Sequence, residues 1–196
     1  MAKKTLSKGK LAAIVLGLAT YVGVSSYAVL AVFTDSTTVP NNQFSTGTID
    51  LTATPTPATL TLANMAPGDT MAGGITVNNA GSLALRYAVS SLTTENFLAP
   101  QLELSVRLEA SLAACTKTST GMPLFYDKGD LGSTAGINIV GDPTQGQQAN
   151  DRVLNAGASE VLCFQVHLPL ATDNTFQNKT TTATFTFQAE QVANNP

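Results

Sequence analysis

The chain has 196 residues, room for one domain and a targeting segment, and is 43% hydrophobic but only 12% charged. Ten Lys and Arg stand against 13 Asp and Glu, and four of the cations (Lys3, Lys4, Lys8 and Lys10) precede the first apolar run. The remainder carries 6 basic and 13 acidic residues, a formal charge of −7, which argues against nucleic acid as a partner because neutralising phosphates needs clustered cations.

Residues 1–10 are basic, and residues 11–34 contain no charge, opening with the dense run LAAIVLGLA. A basic flank, an apolar centre and small residues before the break form the pattern of a secretory signal peptide. Val29 and Ala31 suit the positions before a cut between Ala31 and Val32; Ser26 and Ala28 form a second such pair. An uncleaved anchor is the alternative, since the uncharged run is long enough to cross about 30 Å of hydrocarbon as a helix. Membrane contact is expected only through this precursor segment.

From Phe44 onward, short stretches with period-two apolar faces alternate with turn residues. Ile49 and Leu51 open the series, and Leu60 and Leu62 follow a Pro55–Pro57 break. Asn64-Met65-Ala66-Pro67-Gly68-Asp69 reads as a turn, with Pro setting φ and Gly and Asp favouring the bend. Ile75 and Val77 precede a second turn, 78–82, and Leu83, Leu85, Tyr87 and Val89 then share one face against Ala84, Arg86 and Ala88. A helical turn is expected at 94–98. The clearest strand is 102–110, with Leu102, Leu104, Val106 and Leu108 inward. Residues 113–152, rich in Gly, Asp, Asn and Gln, are expected to be an irregular insertion. Leu162, Phe164, Val166 and Leu168 oppose Val161, Cys163, Gln165 and His167, and Ala183, Phe185, Phe187 and Ala189 mark the last strand. About eight strands without an amphipathic helix predict an all-β, antiparallel two-sheet sandwich of jelly-roll type; an immunoglobulin-like sandwich is the alternative, weakened by the absence of Trp.

Two cysteines behind an export signal point to one disulfide, Cys115–Cys163, in an oxidising compartment, with two free thiols as the alternative. Because Cys163 falls opposite the Leu162 and Phe164 face, the bridge is expected to staple a loop over a sheet. No catalytic constellation emerges, and the chain is expected not to be an enzyme and to need no cofactor or metal. The single His, His167, has no second His at metal-site spacing, no GxSxG elbow is present, and a Cys163–His167 pair would need a free thiol. Asp127, Asp130, Asp142 and Asp151 could offer oxygens to calcium but match no loop signature, so solvation is the simpler reading. Asn178-Lys179-Thr180 is a formal glycosylation acceptor.

Several stretches, in order along the chain, carry a family resemblance. They are Ala31-Val32-Phe33-Thr34-Asp35, then Phe44-Ser45-Thr46-Gly47-Thr48-Ile49-Asp50-Leu51, then the 64–69 turn. Val77-Asn78-Asn79-Ala80-Gly81-Ser82-Leu83, Leu168-Pro169 and Thr184-Phe185-Thr186-Phe187-Gln188-Ala189-Glu190-Gln191 complete the set. Together they resemble the TasA/camelysin (CalY) family of exported biofilm-matrix proteins, which are processed by a signal peptidase of the SipW type. The resemblance implies a secreted jelly-roll subunit of extracellular matrix fibres at the cell surface, partnered by copies of itself and by related matrix subunits. It also implies donor-strand complementation, in which the mature N-terminal segment of one subunit completes a sheet of the next. The division is then residues 1–31 as signal peptide, 32–43 as donor strand with Val32, Phe33 and Val39 as anchors, and 44–196 as the sandwich. Pro40 would limit regular pairing. A surface metallopeptidase, as in the camelysin name, and a non-polymerising accessory protein held by an uncut helix are the rivals. The cysteine pair and residues 113–152 lie outside the matched stretches.

Overall fold

The computed structural model describes residues 46–55, 59–60 and 65–193. The chain divides into two units, Met1–Phe44 and Ser45–Pro196, and the described residues belong to the second. The expected cut after Ala31 and the segment 32–43, with Val32, Phe33 and Val39, lie outside the described residues.

Among the described residues the regular elements are strands and three short 3-10 turns, as the period-two pattern requires. The strands are β1 (Leu51–Thr54), β2 (Thr59–Leu60), β3 (Thr70–Asn79), β4 (Leu85–Thr93), β5 (Glu103–Glu109), β6 (Leu124–Asp130), β7 (Ile137–Val140), β8 (Arg152–Leu154), β9 (Ser159–His167) and β10 (Ala183–Gln191). One sheet runs β1-β3-β9-β5-β6; the other runs β2-β10-β4-β7, with β8 also paired to β4, and every strand pair is antiparallel. Most connections cross from one sheet to the other: β1 to β2, β2 to β3, β3 to β4, β4 to β5, β6 to β7, β8 to β9 and β9 to β10. Such alternation between two packed sheets is the jelly-roll pattern.

The inward rows match the alternation in the sequence. Leu85, Tyr87, Val89, Leu104, Val106, Leu162, Phe164 and Val166 are each no more than 2% exposed. Burying one such side chain stabilises by about 1.5–3 kcal/mol. The Phe164 and Phe185 rings meet across the sheets with centroids 4.5 Å apart.

The structure departs from simple alternation and from two expectations. Residues 113–152 are not wholly irregular, since they contain β6 and β7. The apolar runs Leu124-Phe125-Tyr126 and Ile137-Asn138-Ile139-Val140 pair at sheet margins, but register shifts opposite Leu104 and Val106 and between Val89 and Ser90 break the regular alternation. Arg86 and Ala88, on the face opposite Leu85, Tyr87 and Val89, are buried as well, because the segment around Pro143–Gln145 folds over that outer face and Arg86 pairs with Glu190 at 2.5 Å. The helical turn sits at Ala99–Gln101 rather than 94–98. Ahead of it, the Glu95 carboxylate accepts the N–H groups of Phe97, Leu98 and Ala99 at 2.5, 2.8 and 3.0 Å.

One polar cluster ties the sheets together. The Tyr87 hydroxyl on β4 donates to Glu160 on β9, which also accepts from Arg152 Nε at 3.1 Å and Nη2 at 2.5 Å. The Arg152 guanidinium lies 4.7 Å from the Phe125 ring centroid on β6. Burial pushes the Tyr87 hydroxyl well above its ordinary pKa, and the neighbouring Glu160 carboxylate reinforces the shift. Replacing Glu160 by Ala leaves a half-buried guanidinium and a buried hydroxyl without their acceptor. The expected loss is about 2–4 kcal/mol of unfolding free energy, read as a lower denaturant midpoint. An unchanged midpoint would show that the cluster contributes nothing net.

Candidate functional site

Four of the six stretches that carry the resemblance prove to be docked on one another in two pairs. Thr48–Asp50 lies along the β3–β4 turn: the Thr48 carbonyl accepts from Ser82 and Leu83 at 2.9 and 3.1 Å, and Asp50 O accepts from Ala80 at 2.8 Å. The Ser82 hydroxyl accepts the Thr48 N–H at 3.0 Å. The approach is close enough to require glycine, because a Cβ on Gly81 would stand 2.4 Å from the Thr48 carbonyl. Asn79, 0% exposed, locks the turn: its amide donates to the Leu83 and Leu154 carbonyls at 2.8 and 3.1 Å and accepts from Gly81 at 3.0 Å.

The second pair lies at the opposite end of β3. Asp69 closes the 66–69 turn by accepting the Ala66 N–H at 2.8 Å. Gly68, at φ +95°, donates to the Leu168 carbonyl at 2.7 Å, and the Leu168 N–H returns to Asp69 O at 2.9 Å. Beside this pair is a groove of about 680 Å³ with Met65, Leu98, Leu102, Leu168 and Phe176 among its walls. Asn178-Lys179-Thr180 forms part of its rim.

Between the two ends, β1 pairs with β3 only over Thr76–Asn79, whereas β9 pairs along it from Thr70 to Asn78. Among the described residues, then, Thr70–Ile75 carries a strand partner on one side only. Met71 is in register with inward-facing Val166 yet is 38% exposed, so apolar surface shows along this half-edge. A strand edge without a partner is a template for another strand. Thr48, close to the first described residue, Thr46, is bonded to the 79–83 turn at one end of β3, and the half-edge lies towards the other.

The cysteines are joined, with Cα atoms 5.3 Å apart, and Cys163 does face away from the core. The bridge holds the 3-10 turn Leu112–Ala114 over β3, where a Cβ on Gly74 would lie 2.9 Å from Leu112. It also removes the thiol that a Cys163–His167 nucleophile would need. His167 Nδ1 lies 3.1 Å from both the Thr70 hydroxyl and the Asp69 carbonyl, at the start of the half-edge. Asp127 and Asp130 sit on β6, whereas Asp151 accepts the N–H groups of Asp142 and Gln148 in a loop over the other sheet, so the four aspartates do not converge. Among the described residues no group of three His, Cys, Asp or Glu is placed to hold a metal ion, and Asp35 is the only such side chain outside them. A catalytic zinc needs three protein ligands, a set that the described residues do not bring together by themselves. No helix among the described residues is long and apolar enough to cross a membrane. Glycine 81 and Asn79 were legible only as turn residues; the close approach and buried amide that require them involve partners some 30 to 75 positions away.

Residues 1–101 match the family model described as camelysin metallo-endopeptidase. No curated protein matches the chain.

Reducing the disulfide, or replacing both cysteines by Ser, should cost up to about 4 kcal/mol for a closed loop of 48 positions while leaving the sandwich folded. Retained strand signal in circular dichroism with a lower denaturation midpoint is the expected result. Glu95 supplies a pH test at the groove side of the fold. Burial raises its carboxyl, but the N–H groups of Phe97, Leu98 and Ala99 that it accepts help to outweigh this and hold it below the ordinary value. Its contribution is present above the unfolded pKa of about 4.3 and is lost as pH falls through the lower folded value. Glu95→Gln should therefore flatten the acid side of the stability curve, measured as melting temperature against pH.

Proposed function

Because the chain belongs to the camelysin metallo-endopeptidase family, we propose that it acts as an exported structural subunit that assembles head to tail into fibres of an extracellular matrix. In this reading residues 1–31 are removed between Ala31 and Val32, and the segment 32–43 pairs with the half-edge Thr70–Ile75 of the next copy. Val32, Phe33 and Val39 would cover the apolar surface exposed at Met71. The observation that carries the reading is the position of that half-edge: it lies towards the end of β3 opposite the point where the described chain begins. A donor leaving one end and an acceptor at the other make a heterologous contact, which propagates as a filament when the rotation does not close. Main-chain hydrogen bonds to an open edge supply affinity, and alternate side chains supply fit.

The family's description names a metallo-endopeptidase. The donor geometry supports a structural role instead, since the described residues offer no triad of ligands and His167 is engaged with the β3 turn.

Protein beginning at Val32 should form filaments visible by negative-stain electron microscopy, and protein beginning at Phe44 should sediment as a folded monomer. Met71→Lys in the longer form should reproduce the monomer by charging the acceptor row. Filaments that persist in the shorter form would overturn the assignment of residues 32–43 as donor.

A further inference from the structure

Beyond the basic N-terminus the chain has six cations: Arg86, Arg107, Lys117, Lys128, Arg152 and Lys179. Three are engaged, Arg86 with Glu190, Arg152 with Glu160, and Lys179 at 5.7 Å from the Phe97 ring centroid. The other three have no ion pair among the described residues, and all three line one pocket of about 350 Å³ on the outer face of the β1-containing sheet. Cations spread for solubility would not converge in a chain with this excess of acid.

The pocket is built rather than incidental. Arg107 projects from β5, and its Nε is covered with no hydrogen-bond partner, so packing fixes the guanidinium while no carboxylate neutralises it. Lys128 on β6 has φ +48°, and its N–H is held by the Ser105 hydroxyl at 3.1 Å. Lys117 comes from the loop anchored by the disulfide. Gln165 secures that loop by donating to the Thr116 and Ser119 carbonyls at 3.0 and 3.3 Å. Glu103, Asp127 and His167 share the lining, and they decide the ligand class. A bare oxyanion would be attracted by the cations but would also face two carboxylates. A sugar acid offers a carboxylate to the cations and hydroxyl hydrogens to Glu103 and Asp127, so every group finds a complement. The volume is in the range of small-ligand sites.

We propose that this pocket binds an anionic saccharide unit of the uronate type, with Arg107, Lys117 and Lys128 holding its carboxylate. One chain supplies all of this lining, with Thr70 of the half-edge at its margin, so the site is present in the monomer.

Isothermal titration of the purified protein with glucuronate tests this, with glucose and inorganic phosphate as comparators. Glucuronate should bind with an affinity that falls as salt rises, and glucose and phosphate should each bind about tenfold more weakly or less. Lys117→Gln, at an exposed loop position, should weaken glucuronate about tenfold, and Arg107→Gln at least as much. The loop variant keeps the test valid if the strand variant fails to fold. Absence of glucuronate binding at millimolar concentration, undiminished binding by Lys117→Gln, or phosphate binding as tightly as glucuronate would each overturn the proposal.

Discussion

The buried carboxamide of Asn79 is the interaction on which the rest of the sandwich depends. Its three side-chain hydrogen bonds reach the β3–β4 turn and the end of β8, and its backbone groups bond Ala158 and Gly157 at 3.0 Å each. A side-chain amide with 0% exposure must have such partners, because an unsatisfied buried polar group costs about 1–3 kcal/mol. With those partners fixed, β3 cannot slide against β9, since a one-residue slip would exchange the core and outer faces. The same turn receives Thr48–Asp50, so the point at which the chain enters the domain is set by the residue that sets the register.

Register accounts for the inner faces, and residues 113–152 account for much of the outer ones. The disulfide-linked part covers Gly74, Cys163 and Gln165 on one sheet, and the part around Pro143–Gln145 covers Arg86 and Ala88 on the other. Residues that alternation assigns to water are thereby buried and require polar partners. Arg86 has Glu190, and Gln165 has two carbonyls. Arg107 has none at Nε, which distinguishes its pocket from an ordinary covered face.

Much of this was legible in the sequence, and what was not has a common cause. The strands at 102–110, 160–169 and 181–192 were readable because a half-buried strand writes its environment into every second residue. The outward direction of Cys163, and hence the placement of its bridge over a sheet, follows from the same parity. β6 and β7 were hidden because marginal strands bulge, and a bulge interrupts the period on which the reading depends. The burial of Arg86 was hidden for a different reason: it arises from a loop more than 50 positions away, which local pattern cannot encode. The half-edge on β3 belongs to the second kind, because it is defined by where β1 stops pairing rather than by any residue within Thr70–Ile75.

The distribution of acidic side chains bears on the choice between a fibre subunit and a peptidase. Asp69, Glu95, Glu109, Asp142, Asp151 and Asp173 each accept backbone N–H groups in their own turns or neighbouring loops. Glu160 and Glu190 are paired with arginines. Carboxylates committed in this way stabilise turns one at a time, whereas metal-dependent hydrolysis needs several ligands brought to a single point. What the fold does bring to a single line, among the described residues, is backbone: six consecutive residues of β3 with strand pairing on one side and Met71 exposed among them. Among the described residues the acids are dispersed while the Thr70–Ile75 edge is paired on one side, and the proposed fibre role rests on that contrast.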